Sequence, residues 1–150
     1  MTATAQPVDK PDYALVFKAM PGMCLVLDPG LTILAQNDEH ARMTLSTDRN
    51  VVGQKLFTAF PDNPGHNAAE SVSLLRQSLL RVLKTRARDV MPVIRYDVKT
   101  GDGPYEVRWW SIVNVPILDK DGAVRWIINR AEDMTELVKL RGKAGRASRP

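Results

Sequence analysis

The feature that most limits what this chain can become is a single change of hydrophobic period near Thr85. Before it, Ala68, Val72, Leu75, Leu79 and Val82 recur at three- and four-residue intervals, widened by Leu83, with Arg76, Gln77, Arg81 and Lys84 largely opposite. This stripe predicts one long amphipathic helix, and Asn67 with Glu70 three positions on gives it a capping-box-like start. After it, Val90, Ile94, Tyr96 and Val98 alternate with Met91, Val93, Arg95 and Asp97. A period of two is the signature of a strand. Turns at Lys99–Pro104 and at Asp119-Lys120-Asp121-Gly122 separate two further strands, Tyr105–Leu118 and Ala123–Ala131. A helix followed by a three-strand meander predicts an α+β fold with an antiparallel sheet.

Upstream, Tyr13, Val16, Phe17 and Met20 follow Pro11 at helical spacing and are stopped by Pro21-Gly22, which predicts a short N-terminal amphipathic helix. Met23–Leu27 and Leu31–Ala35 flank Asp28-Pro29-Gly30 and predict a hairpin. Asn37 or Asp38 can cap a short helix running through Arg42, and Gly53 breaks the chain before Gln54–Phe60. Both alternating sets of the meander carry apolar side chains, so both sheet faces are expected to be covered. One would pack on the helices; the other, with Trp109, Trp126 and Tyr96, would pack on the N-terminal helix or on a second subunit.

Length and charge bound the function. The chain's 150 residues, 44% hydrophobic and 25% charged, make one globular domain large enough to bury a core without staples. Cys24 is the only cysteine, which rules out an internal disulfide and any zinc site built on two cysteines. The net charge of +4 is a property of the C-terminus: five of the 21 basic residues and none of the 17 acidic ones lie in residues 137–150, which leaves residues 1–136 at −1. A nearly neutral body argues against nucleic-acid binding. Residues 1–8 read as disordered and 137–150 as a basic exit helix or linker. MTATAQPVDK has no apolar core of a signal peptide, and the longest apolar runs fall far short of the ~20 residues a bilayer needs, so no membrane segment is expected.

The order of these pieces resembles a PAS domain over residues 12–136. MCLVLDPGLTILAQND after Pro21-Gly22 resembles the opening hairpin of that family, and Val52-Gly53-Gln54-Lys55-Leu56-Phe57 its glycine–phenylalanine stretch. The Tyr96–Gly103 turn, Val115-Pro116-Ile117 and Asp119-x-x-Gly122 resemble its last hairpins, and Asp133-Met134-Thr135-Glu136 its closing motif. Asp62 to Leu83 looks most like PAS sensors attached to bacterial two-component histidine kinases. The resemblance implies a PAS sensor over residues 9–136, with a five-stranded antiparallel sheet and with short helices and one long helix on one face. It implies that Asp133 and Thr135 pass conformational change to an exit helix begun by Leu137, Val138 and Leu140. It also implies dimer contacts through Tyr13, Val16, Phe17 and Met20.

No catalytic motif occurs: there is no nucleophile elbow, phosphate-binding glycine loop or paired-histidine metal motif. The chain itself is therefore expected not to be an enzyme. Flavin-binding members need a cysteine after the Gly53 position, and Gln54–Phe60 has none, which argues against a covalent flavin. Haem-binding members place a histidine on the long helix. His66 falls just before it and His40 on a polar helix, both expected to be solvated, which argues against haem. Two histidines without a third ligand make no metal site.

A non-covalent ligand remains open. By resemblance, a pocket would be walled by Leu25 and Leu27 of the first strand, by Met91, Val93 and Arg95, and by Trp110, Ile112, Asn114 and Asn129. Leu75 and Leu79 would close it from the helix. Asn114, Asn129 and Arg95 could supply polar contacts to a ligand, or the asparagines could pair with each other and Trp110 fill the core. The expected function is a cytoplasmic sensory and dimerisation module of a bacterial signalling protein, a homodimer joined to an output domain. The alternatives are a structural dimerisation module without a ligand and, more remotely, a small enzyme or metabolite carrier.

Overall fold

The computed structural model describes residues 7–66 and 70–147. The chain runs α1 (Tyr13–Ala19), β1 (Met23–Leu27), β2 (Ile33–Gln36), α2 (Asp38–Met43), α3 (Leu56–Ala59) and α4 (Glu70–Thr85). It continues through β3 (Asp89–Val90), β4 (Ile94–Arg95), β5 (Val98–Lys99), β6 (Tyr105–Glu106), β7 (Trp109–Leu118), β8 (Val124–Asp133) and α5 (Thr135–Ala147). Local chemistry explains most boundaries. Asp12 accepts hydrogen bonds from Ala14 N and Leu15 N at 3.1 and 3.4 Å and starts α1. Asp28 accepts from Thr32 N at 2.9 Å and closes the β1–β2 turn. Gly53 sits at φ +90°, where a side chain would be strained, and Leu56 begins α3 three residues on.

The main sheet is antiparallel, in the order β2-β1-β8-β7-β3, with β4 also paired to β7. The N-terminal hairpin therefore pairs with the last strand, from Met23↔Ala131 to Leu27↔Ile127. Helix α4 packs on β7 and β3. Leu25, Leu27 and Ile33 of the hairpin meet Leu79 and Val82 of α4 and Ile127 of β8 in the core. Each such side chain contributes about 1.5–3 kcal/mol when fully buried.

Asn37 ties the N-terminal half together. Its Oδ1 accepts from Cys24 N and His40 N, both at 3.0 Å, and its Nδ2 donates to the carbonyls of Gly22 and Met20 at 2.8 and 3.3 Å. One fully buried amide thus caps α2 and holds it to β1 and to the end of α1.

The structure departs from the sequence reading where the backbone breaks its alternation. The sheet has six strands rather than five, and β5 and β6 form a separate hairpin. The expected strand Tyr105–Leu118 is interrupted at Val107–Arg108, which frees β6 to pair with β5. The expected run from Val90 to Val98 is broken too. Asp89 pairs with Asn114 and Val90 with Val113, but Ile94 pairs with Trp110, which leaves one extra residue at Pro92–Val93. Such a bulge reverses the parity of everything after it. Met91 is buried as expected, but Ile94, Tyr96 and Val98 then turn inward. Val93 is left 44% exposed, and Arg95 turns to Asp97. Tyr96 is accordingly a core residue, not one on the outer face with Trp126.

Helix α1 has no buried residue and lies towards α2, so it does not provide the intramolecular cover expected for the outer sheet face. Residues 1–6 of the segment read as disordered, Asn67 of the capping box with Ala68 of the helical stripe, and the tail residues 148–150 lie outside the described residues.

Candidate ligand cavity and output junction

Between the sheet and the helices lies a cavity of about 350 Å³. Its floor is Leu25 of β1, Trp110 and Ile112 of β7, and Asn129 and Ala131 of β8. Leu75 of α4, Ala59 and Phe60 at the end of α3, and His40 of α2 close it from above. The β5–β6 hairpin supplies the rim through Lys99, Asp102 and Tyr105, opposite Asp48 and Arg49. The break at Val107–Arg108 is what lets the hairpin leave the sheet and stand over the mouth. The walls are largely apolar with a few converging polar groups, the usual make-up of a small-molecule site.

Of the pocket residues read from the sequence, Leu25, Leu75, Trp110, Ile112 and Asn129 line this cavity. Leu27, Leu79, Met91 and Asn114 are buried in the core beside it, whereas the bulge removes Val93 and Arg95 from the wall. Arg95 makes a two-pronged pair with Asp97, at 2.9 Å for each bond, and Asn63 donates to the same carboxylate at 2.9 Å. Burial pushes the Asp97 carboxyl up, but these hydrogen bonds outweigh it and hold the group below the usual carboxylate range.

Sequence reasoning missed His40 and Tyr96. His40 is buried, not solvated, and burial lowers its imidazole to about 3. Gln36 Nε2 donates to its Nδ1 at 3.0 Å, and its ring meets Phe60 edge-on with centroids 5.5 Å apart. The signal was present but polar: the buried face of α2 is Asn37, His40 and Thr44 at helical spacing, which a hydrophobic pattern does not register. Tyr96 donates its hydroxyl proton to the carbonyl of Phe60, and burial pushes its phenol up. Trp110 Nε1 in turn donates to the carbonyl of Tyr96 at 2.7 Å.

A second junction lies at the start of α5. Asp133 Oδ1 accepts from Thr135 N at 2.9 Å, so Asp133 closes a turn at the helix entrance one residue before Met134, the residue flanking α5. Thr135 is buried, and its Oγ1 accepts from Trp109 N at 3.0 Å, while Met134 N donates to Trp109 O at 2.8 Å. The entrance of α5 is thus bolted to the residue next to Trp110 on the cavity floor.

The family model for the PAS fold matches residues 17–139, and the chain belongs to that family of sensory domains. Solved structures agree on the fold. A sensory box sensor histidine kinase from Vibrio cholerae superposes with a TM-score of 0.54 at 15% identity, over 82% of this chain and 88% of that one. The PAS domain of a protein from Colwellia psychrerythraea gives 0.64 at 14% identity, over 83% and 95%. VqmA bound to DPO gives 0.60 at 16% identity, over 81% of this chain and 56% of that one. No curated protein matches the chain in sequence. Among the described residues, no helix is long and apolar enough to cross a membrane, and no cluster of three or more His, Cys, Asp or Glu could hold a metal.

Proposed function

We propose that this PAS domain is the ligand-sensing and dimerisation module of a bacterial signalling protein, the input of a histidine kinase, working in the cytoplasm. The observation that carries the reading is the short path from cavity to exit. Trp110 forms the cavity floor, and the neighbouring Trp109 holds both Met134 and Thr135 at the entrance of α5. A small molecule that shifts the Trp110 indole moves the strand to which the exit helix is bolted. Such a ligand transmits a signal only by binding two packings of sheet and helix differently. Asp133 and Thr135 are the transfer residues in this reading, and the output domain follows α5. A fold neighbour that is a sensor histidine kinase and another, VqmA, solved bound to DPO support it.

Dimerisation would use α1, where Tyr13, Val16 and Met20 are exposed and Phe17 half-buried. Surface this apolar on a helix without a buried residue calls for a partner, here a second copy.

Native mass spectrometry and an absorbance spectrum of the purified chain test the ligand. A bound small molecule that Ala131→Leu removes while the circular dichroism stays unchanged supports sensing through this cavity. A clean apo mass together with no thermal shift across a metabolite library leaves the structural dimerisation module as the reading. Phe17→Asp should convert the dimer to monomer in sedimentation. An unchanged mass refutes α1 as the interface.

A further inference from the structure

A chain of buried polar groups runs from the protein surface to the cavity floor, and its direction is set at the surface end. Arg81 on α4 pairs with Asp89 on β3, with Nε to Oδ1 at 3.1 Å and Nη2 to Oδ2 at 3.0 Å. An ionised carboxylate only accepts, so the Ser78 hydroxyl, 2.5 Å from Asp89 Oδ2, must donate to it. The Ser78 oxygen is then left to accept, and Asn114 Nδ2 donates to it at 2.9 Å. That turns Asn114 Oδ1 towards Asn129, whose Nδ2 donates to it at 2.7 Å. Asn129 is therefore held with its Oδ1 free: it lines the cavity, is 4% exposed, and its Oδ1 accepts no hydrogen bond among the described residues. Ser78 and Asn114 are fully buried, so water does not scramble the chain.

We propose that this Asp89–Ser78–Asn114–Asn129 relay gives the cavity a fixed hydrogen-bond polarity. It selects compact, largely apolar ligands that carry an N–H or O–H donor and rejects acceptor-only analogues of the same shape. The proposal rests on the cavity being a ligand site. The physics is the asymmetry of buried hydrogen bonds. A donor on the ligand satisfies Asn129 Oδ1, whereas a carbonyl, ether or carboxylate oxygen placed there faces another oxygen and leaves both unsatisfied. A free asparagine amide could turn over to suit either ligand. Here turning it would put Asn129 Oδ1 against Asn114 Oδ1; turning Asn114 as well would put its Oδ1 on Ser78, whose hydroxyl would then have to donate there and leave its oxygen facing the Asp89 carboxylate. The carboxylate itself is kept ionised by Arg81 and Ser78, which hold it below the usual range. A surface ion pair therefore determines what a buried site recognises.

Two measurements test this on the intact chain. The first needs no ligand: nuclear Overhauser contacts of the side-chain amides should place the Asn129 NH₂ protons beside Asn114 and the Asn114 NH₂ protons beside Ser78. Asn129 NH₂ protons facing Ala131 and the cavity instead would overturn the relay. The second titrates indole and its oxygen isostere benzofuran, following Trp110 and Asn129 resonances. Indole should bind about tenfold more tightly to the native chain. Asp89→Asn, remote from the cavity, lets the 89 side chain donate or accept, so the chain can run either way and the ratio should fall towards one. Ser78→Ala, which cuts the relay, should give the same collapse. Equal binding of the two probes to the native chain overturns donor selection while leaving the ligand site standing. A preference that persists in both variants assigns it to something other than the relay. Absence of both probes from the cavity at millimolar concentration removes the ligand site itself, and the proposal with it.

Discussion

Acidifying the protein from pH 7 to pH 5 should destabilise it by about 2 kcal/mol through His40 alone. In the fold this imidazole is buried, and burial lowers it to about 3 from an ordinary value of 6.5. The Gln36 amide donates to Nδ1, so a proton arriving there would set N–H against N–H. In the unfolded chain the ring takes up its proton as the pH passes 6.5, whereas the folded chain does not until about pH 3. The folded-state value is the lower one, so His40 favours the fold above pH 6.5, and that contribution is lost as the pH falls. At about 1.4 kcal/mol per pH unit, and with half the unfolded histidines still neutral at 6.5, the loss between pH 7 and 5 is about 2 kcal/mol. The figure holds for any folded value below about 4. The carboxyls of Asp89 and Asp97 are also held below their usual range, but their contribution is lost only near and below about pH 4. Urea unfolding followed by tryptophan fluorescence at pH 7, 6 and 5 measures the effect in the native chain and in His40→Gln. The native chain should lose stability over this range while the variant changes by less than about 0.5 kcal/mol, the glutamine having no proton to gain. A flat native profile, or an equal slope in the variant, would refute the reasoning.

Asn37→Ala should cost about 3 kcal/mol in the same assay. It removes a helix cap and strands the buried N–H of Cys24 and the carbonyl of Gly22; a loss under about 1 kcal/mol would mean that water replaces the amide without penalty. Thr135→Val keeps the shape of the side chain but leaves Trp109 N without its acceptor. It should cost about 1 kcal/mol and raise hydrogen exchange at the Trp109 and Met134 amides well above that at the centre of β8. A uniform rise would show that Thr135 contributes to global stability and not to the junction.

Much of the fold was readable from periodicity. The α4 stripe, the alternation of β7 and β8 and the Asp28-Pro29-Gly30 turn are local signals, set by residues a few positions apart. The site was readable only in part. Leu25, Trp110, Ile112 and Asn129 were found because β1, β7 and β8 keep their register from end to end at those positions. Val93 and Arg95 were placed on the wall because alternation was extended through Pro92, where one extra residue reverses the parity. His40 escaped because its helix buries polar residues that satisfy one another, as where Thr44 Oγ1 donates to the His40 carbonyl at 2.7 Å.

The sequence by itself determined the fold class, the order of elements and the family, since these follow from hydrophobic period and turn chemistry within short windows. It also determined that the positive charge lies at the exit and not on the folded body. Only the tertiary structure decided what the cavity presents to a ligand. The parity of β4 depends on its pairing with β7, 15 or so residues away, and the orientation of the Asn129 amide depends on Asp89, 40 residues earlier in the chain. A hydrogen bond has a direction, and three of them in series carry that direction from a surface carboxylate to a buried wall. Nothing in the local pattern around Asn129 encodes it, because the groups that set it meet only once the sheet has closed on α4.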